Sequence, residues 1–268
     1  MDIPMMFEPY QAAADIDVLP SFFPIPGYGI LPVNAFVLKG TEPVLVDTGL
    51  FPLSDEFIEK LSQVIDPGDI SWLWLSHADM DHVGSLGRIL EMNPKLRIIT
   101  TYLTCGRMSL FQPLPMNRVF LLNPGQSISI GDRTLTAIKP PSFDGPDTTG
   151  FYDSKAGVFF CADCFGALMT EPHDSAADLG TDELKKGMVL WATVDTPWLH
   201  MVDSSVFDRN INFIHEMAPN LILSAHLPLA KDMTNDLLDY LSSVPGSQPF
   251  VGPDQQALEM MLQGLTGR

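Results

Sequence analysis

The chain has 268 residues, 46% hydrophobic and 18% charged, with a formal net charge of −18. That balance excludes a disordered chain, and the acidity argues against a phosphate-binding face, so neither nucleic acid nor an anionic membrane surface is an expected partner. No apolar run reaches the roughly 18 residues needed to cross a bilayer.

The start, "MDIPMMFEPY", lacks the basic stretch and apolar middle of a signal peptide, so a cytoplasmic location is expected. Residues 1–30 are rich in proline and aromatics without clear periodicity, and read as an irregular segment. "NAFVLKG" and "PVLVDTG" read as short strands with a turn at Gly40–Pro43, the second ending in Asp47-Thr48-Gly49. "SDEFIEKLSQVI" places Phe57, Leu61 and Val64 on one helical face, with Ser54 as its N-cap. "ISWLWLS" is a nearly continuous apolar run, as a buried strand requires, and delivers His77 at its end. Val83, Leu86 and Leu90 then predict a helix running to about Asn93-Pro94, followed by the strand "LRIITT".

Beyond residue 120 the pattern turns β-rich. "QSISIGDRTLTAIKP" and "GFYDSKAGVFFCAD" read as hairpins, turning at Gly131-Asp132 and at Ser154 to Gly157. Residues 165–203 show no regular pattern and are expected to cover a site. A helix over "SSVFDRNINFIHEM" leads to the buried strand "NLILSAH", which ends in His226; one or two helices follow. The expected organisation is one domain over 1–268.

Polar residues recur at strand ends: Asp47, His77, Asp144, Asp163 and His226 each end a predicted strand or lie just beyond one. The densest group is "LSHADMDHVG", with His77, Asp79, Asp81 and His82 inside six positions. On a tight loop alternate residues point alike, so His77 and Asp79 can face one ion while Asp81 and His82 face a second. The structural alternative is a surface acidic turn that happens to carry two histidines. Cys161 and Cys164 form a C-x-x-C, but on a strand running into a turn rather than at a helix start; together with Cys105 they read as small buried residues, not a redox pair.

These features resemble, in order, the motifs of the metallo-β-lactamase-fold superfamily: "DTG" at Asp47 to Gly49, "SHADMDHVG" against the family's H-x-H-x-D-H loop, "FFCADCFG" around Asp163, and "LILSAH" ending in His226. The resemblance implies an α/β (α+β) four-layer αββα sandwich. It also implies two metal ions, one held by His77, Asp79, Asp144 and Asp163, the other by Asp81, His82, Asp163 and His226. Two positions depart from the common pattern. Asp79 stands for the loop's second histidine, and "KPPSFDGPDTTG" offers Asp144, or else Asp147, where a separate histidine is usual. A carboxylate at the first of these positions is characteristic of the flavodiiron branch, which uses H-x-E-x-D-H. That branch reduces dioxygen or nitric oxide at a di-iron site with electrons from a flavodoxin-like domain. The length leaves no room for that domain, so the chain looks like a stand-alone di-iron core with an external electron donor and, as is common in the branch, a homodimer.

Charge supports the same direction independently. Four carboxylates carry about −4, which offsets two divalent ions and favours iron or manganese over zinc, because little positive charge is left to acidify a bound water. Three functions stay open: a di-iron protein binding or reducing dioxygen or nitric oxide, a metal-dependent hydrolase of an ester, thioester or amide, and a non-enzymatic oxygen sensor. Ser76 and Thr148 could donate supporting hydrogen bonds. His173, His200 and His215 read as surface or packing residues, and Trp191, Trp198 and Met169 as core rather than pocket walls.

Overall fold

In the computed structural model, which describes residues 3–266, two twisted sheets pack face to face with helices outside each. The first sheet contains β1 (Met5–Met6), β2 (Tyr10–Ala13), β3 (Ile16–Ile25), β4 (Gly29–Leu38), β5 (Val44–Val46), β6 (Trp72–Trp74), β7 (Arg97–Thr100) and β8 (Val119–Leu121). Its order is β1-β3-β4-β5-β6-β7-β8, with β2 also paired to β3. The second contains β9 (Ser127–Ile130), β10 (Arg133–Ile138), β11 (Gly150–Asp153), β12 (Val158–Phe160), β13 (Leu221–Leu223) and β14 (Ala230–Lys231), in the order β14-β13-β12-β11-β10-β9. The helices are α1 (Ser54–Val64), α2 (Leu86–Met92), α3 (Tyr102–Met108), α4 (Thr181–Asp195), α5 (Ser204–Met217), α6 (Thr234–Ser242) and α7 (Gln255–Thr266).

Three apolar clusters define the layers. Phe57 and Leu61 of α1 and Leu86 and Ile89 of α2 pack with Val37, Leu45 and Leu73 on the outer face of the first sheet. Val46, Trp74 and Phe36 meet Phe151, Phe160 and Leu223 between the sheets. Met188 of α4, Phe207 of α5 and Leu237 of α6 pack with Phe159 and Ile222 on the far side. The αββα order follows from these contacts. Strands such as "WLW" are buried on both faces, which is why they read as continuous apolar runs.

Four local expectations are corrected. Within the segment expected to be irregular, 1–30, the described residues form strands. Ile16–Ile25 pairs in unbroken antiparallel register with Gly29–Leu38, from Ile16↔Leu38 to Ile25↔Gly29. Burial of every residue from Ile16 to Phe22 erases the alternation, and Pro20 and Pro24 disguise the strand further. The 165–203 stretch contains the fifteen-residue α4, whose buried Leu184, Met188 and Ala192 recur every four residues. Ser54 is the first helical residue rather than the N-cap; Leu53 occupies the cap position without a side-chain bond, while Asp55 and Glu56 face the positive helix end. The helix expected from Val83 starts at Leu86, because Gly84 and Ser85 spend their N–H groups on the carbonyls of Gly49 (2.8 Å) and Thr48 (3.1 Å). Helix α3 was not expected; Thr101 caps it by accepting from the Thr104 N–H.

Candidate metal centre

The parallel pairs β5–β6 and β12–β13 set the site. Their registers, Val46↔Trp74 and Phe160↔Leu223, align strand ends so that Asp47, the His77 loop, Asp163 and His226 all emerge at C-terminal edges, where α/β sheets bind ligands. Asp144 arrives from the connection between β10 and β11. The loops are locked to one another. Thr48 donates from both its N–H (2.8 Å) and its hydroxyl (2.9 Å) to the carbonyl of His82. Gly84 is required by close approach: a Cβ there would lie 2.2 Å from the Phe51 nitrogen and 2.3 Å from the Gly49 oxygen. Asp47 and Ala162 adopt left-handed backbone, φ 56° and 50°, beside the chemistry.

Asp163 is central and buried. Its Oδ2 lies 3.2 Å from His77 Nε2, while its Oδ1 lies 3.0 Å from His82 Nε2 and 3.3 Å from His226 Nε2. The contact with His82 lacks hydrogen-bond alignment, leaving both Asp163 Oδ1 and His82 Nε2 buried without a partner. Asp81 Oδ2 lies 3.6 Å from His82 Nε2 and 3.4 Å from His226 Nε2. Ligand atoms of His77, Asp79 and Asp144 lie within 4.8 Å of one another, as do those of Asp81, His82 and His226, and those of His77, His82 and Asp163. All seven residues singled out in the sequence therefore gather at one place. Asp147 does not join them: it is fully buried and accepts from the Ala78 N–H (3.2 Å) and from Arg107 (2.6 Å).

The imidazoles are aimed by their other nitrogens. Asp47 Oδ2 sits 2.9 Å from His82 Nδ1, and Asp47 is itself held by the N–H (2.9 Å) and hydroxyl (2.7 Å) of Ser76. Ser76 Oγ also lies 3.0 Å from His77 Nδ1. His226 Nδ1 faces the Pro32 carbonyl at 2.8 Å. Such partners fix ring orientation and raise ligand basicity. Thr148 donates to Asp144 Oδ1 at 2.6 Å.

Electrostatics follow from burial and proximity. Burial opposes a charge on His226, but the close carboxylate of Asp163, with that of Asp81, raises it to about 9. For His82 burial is likewise overcome, by Asp81, Asp163 and Asp47, and it is raised well above the usual histidine value. Asp163 is driven well below the usual carboxylate range, because His77 and His82 outweigh its burial. Asp195, at the end of α4, moves the other way: burial and the carboxylate of Asp163 push it up to about 8, against the pull of His226.

Trp191, read from the sequence as core, proves otherwise, and Asp195 carries no signal there. Trp191 stands with its ring 5.2 Å from the His226 ring and walls the centre. Asp195 lines a small enclosed cavity with Asp163 and Trp191. A larger cleft of about 510 Å³, lined by Phe23, Leu31, Phe51, Met80, Asp81 and Trp191, opens on the Asp81 side. Arg107 and Lys139, two of the chain's 15 basic residues, stand at the Asp79–Asp144 side. Nothing local in "TCGRMS" marks Arg107, since α3 brings it from outside the loop. The three cysteines are free and buried, as expected, and Cys161 Sγ donates to the Cys164 carbonyl at 3.2 Å. His215 is exposed on α5.

Residues 31–226 match the model of the family described as "ODP family beta lactamase", and the chain belongs to that family. Among curated relatives it is 27% identical over 196 residues to a nitric oxide reductase of Moorella thermoacetica, covering 70% of this chain and 48% of that protein. It is 25% identical over 204 residues to an anaerobic nitric oxide reductase flavorubredoxin of Pectobacterium atrosepticum, covering 75% and 38%. The chain thus spans about half the length, or less, of these relatives. Among solved structures, a mutant flavo di-iron protein of Thermotoga maritima superposes with a TM-score of 0.78 at 20% identity, covering 91% of this chain and 62% of that one. Rubredoxin oxygen:oxidoreductase of Desulfovibrio gigas gives 0.76 at 17% identity, covering 88% and 61%. The fold is the metallo-β-lactamase sandwich. Among the described residues no helix is long and apolar enough to cross a membrane.

Proposed function

We propose that the chain holds two metal ions, iron in preference to manganese or zinc, and binds or reduces dioxygen or nitric oxide with electrons from an external donor. The observation that carries this is the placement of Asp163, whose two oxygens face different histidines: Oδ2 faces His77 at 3.2 Å, and Oδ1 faces His82 at 3.0 Å and His226 at 3.3 Å. A carboxylate so placed, with orphaned donor atoms on both it and His82, suits a bridge between two cations. His77, Asp79, Asp144 and Asp163 would hold one ion; Asp81, His82, Asp163 and His226 the other. An iron pair held by these residues would supply electrons to a diatomic molecule and polarise it.

The chain's own residues complete the site. The mostly apolar cleft beside Asp81 admits a small uncharged molecule and disfavours an ionic one. The Trp191 ring, 5.2 Å from the His226 ring, lines both this cleft and the small cavity at Asp195. Both reductions consume protons, and Asp195 is the carboxyl at the site whose environment favours the protonated form, in contrast to Asp81 and Asp163. The names of the relatives, nitric oxide reductases and flavo di-iron proteins, support this reading over a hydrolase. Three unpaired buried cysteines suit a reducing compartment such as the cytoplasm.

The test is metal analysis of protein purified without added metal, followed by mixing the anaerobically reduced protein with dioxygen or nitric oxide. Iron near two per chain, visible absorption that bleaches on reduction, and gas consumption dependent on an added electron donor are expected. A colourless zinc protein that cleaves a generic ester, and loses that activity on His82→Ala, would replace this reading with the hydrolase.

A further inference from the structure

The two halves of the centre are balanced by different means. Around His82 and His226 the supporting groups are a carboxylate and a backbone carbonyl, and the buried His82 Nε2 and Asp163 Oδ1 have no hydrogen-bond partner. Around His77 the protein supplies cations of its own. Arg107 donates from Nη2 to Asp79 Oδ1 at 2.5 Å and from Nη1 to Asp147 Oδ1 at 2.6 Å. Asp147 is fully buried, and its other oxygen is held by the Ala78 N–H, so the guanidinium is anchored at its far side. Room for it comes from Gly145, where a Cβ would stand 2.9 Å from both Arg107 Nη1 and Asp147 Oδ1. Lys139 donates to the carbonyls of Gly145 (3.0 Å), Pro146 (3.1 Å) and Thr148 (2.9 Å), adding a second positive charge beside the Asp144–Thr148 loop.

We propose that Arg107 is a resident counter-ion for the His77–Asp79–Asp144 position, so that the two metal positions bind unequally: the Asp81–His82–His226 position loads first and tightly, and the His77 position loads last and exchanges. The inference rests on the reading of the centre as a metal site. Its physical basis is competition. Asp79 already neutralises a guanidinium through a short charge-assisted bond. Because Asp147 pairs with that guanidinium on its far side, an ion entering between His77, Asp79 and Asp144 meets a positive charge already in place. An arginine keeps its proton at any working pH, so the effect cannot be titrated away.

The experiment is calorimetric titration of the metal-free full chain with cobalt(II), following the visible spectrum of the bound ion in parallel. The wild type is expected to bind two ions in two steps, with dissociation constants at least about tenfold apart, the scale on which groups supporting metal ligands act. Arg107→Gln should tighten the second step about tenfold or more and leave the first within about twofold; Arg107→Lys should fall between. Because Arg107→Gln leaves Asp147 buried without its partner, the double variant with Asp147→Asn provides a neutral pocket, and circular dichroism confirms folding of each. Two equivalent ions in the wild type would overturn the inequality of the two positions, and a second step that Arg107→Gln and the double variant leave unchanged or weaken would overturn the role of Arg107; either result leaves the metal reading standing. Failure of any ion to bind would overturn the metal reading and this inference with it.

Discussion

At the scale of single residues, the centre depends on groups that never touch a ligand themselves. Asp47 holds His82 Nδ1 at 2.9 Å and is held in turn by Ser76, in a left-handed backbone conformation. Asp47→Ala leaves the fold in place but frees the His82 ring to turn, so affinity for the first-loading ion should fall about 10- to 100-fold. Competition against a chelator measures this. Gly84 serves differently, as an absence of atoms: its backbone packs on residues 49–51 where no Cβ fits. Gly84→Ala should cost about 1–3 kcal/mol or more, in the manner of an overpacked core, and denaturant unfolding reads it directly.

At the scale of elements, the β3–β4 hairpin does more than extend the first sheet. From β4, the Asn34 side chain donates to the carbonyls of Ser224 (3.2 Å) and Leu227 (2.8 Å), and the Asn34 N–H donates to Ala225 (2.8 Å). With the Pro32 carbonyl facing His226 Nδ1, one strand of the first sheet positions the last histidine, which the second sheet supplies. Asn34→Ala leaves two buried carbonyls short of a donor and should cost about 1–3 kcal/mol. It should also weaken metal binding at the His226 side, while Asn34→Asp fails to rescue because a carboxylate cannot donate. Chemical denaturation and chelator competition on the same samples separate the two effects. Helix α4 is the second such element, since it brings Trp191 and Asp195 to the centre from the helical layer.

At the scale of the whole molecule, the three apolar clusters exist independently of any ion, so removing metal should lower the melting temperature without loss of far-ultraviolet circular dichroism. The metal-free form carries a pH signature. His226 is raised to about 9, and His82 in the same direction. A raised folded-state value means that their contribution to stability is fully present below the unfolded histidine value of about 6.5 and is lost as pH rises through about 9. Asp163, depressed by the same pairing, contributes above its unfolded value and loses that contribution under strong acid. Metal-free protein should therefore unfold more readily at pH 9 than at pH 6. Metal affinity should rise over that interval, because the ion displaces the imidazole protons. Thermal melts with and without metal at the two pH values check both signs.

The αββα class and the residues that gather at the centre are legible in the chain through its resemblance to the metallo-β-lactamase-fold motifs. Individual elements are written locally: two-face burial leaves continuous apolar runs such as "WLW", and one loop keeps His77, Asp79, Asp81 and His82 within six positions. Asp144, Asp163 and His226 were legible because each follows a recognisable strand. The rest follows from how the elements pack. The β3–β4 hairpin leaves no strand signature in the sequence, because burial on both faces removes its alternation and prolines imitate a loop. Arg107, Trp191, Asn34 and the Pro32 carbonyl lie tens of residues or more from the groups they act on, on elements whose own patterns answer only to packing. Charge balance between Asp79, Asp147 and Arg107 is a property of three-dimensional proximity; no spacing in the chain encodes it. The candidate ligands are thus legible in the sequence, while the placement of Arg107 beside them belongs to the fold.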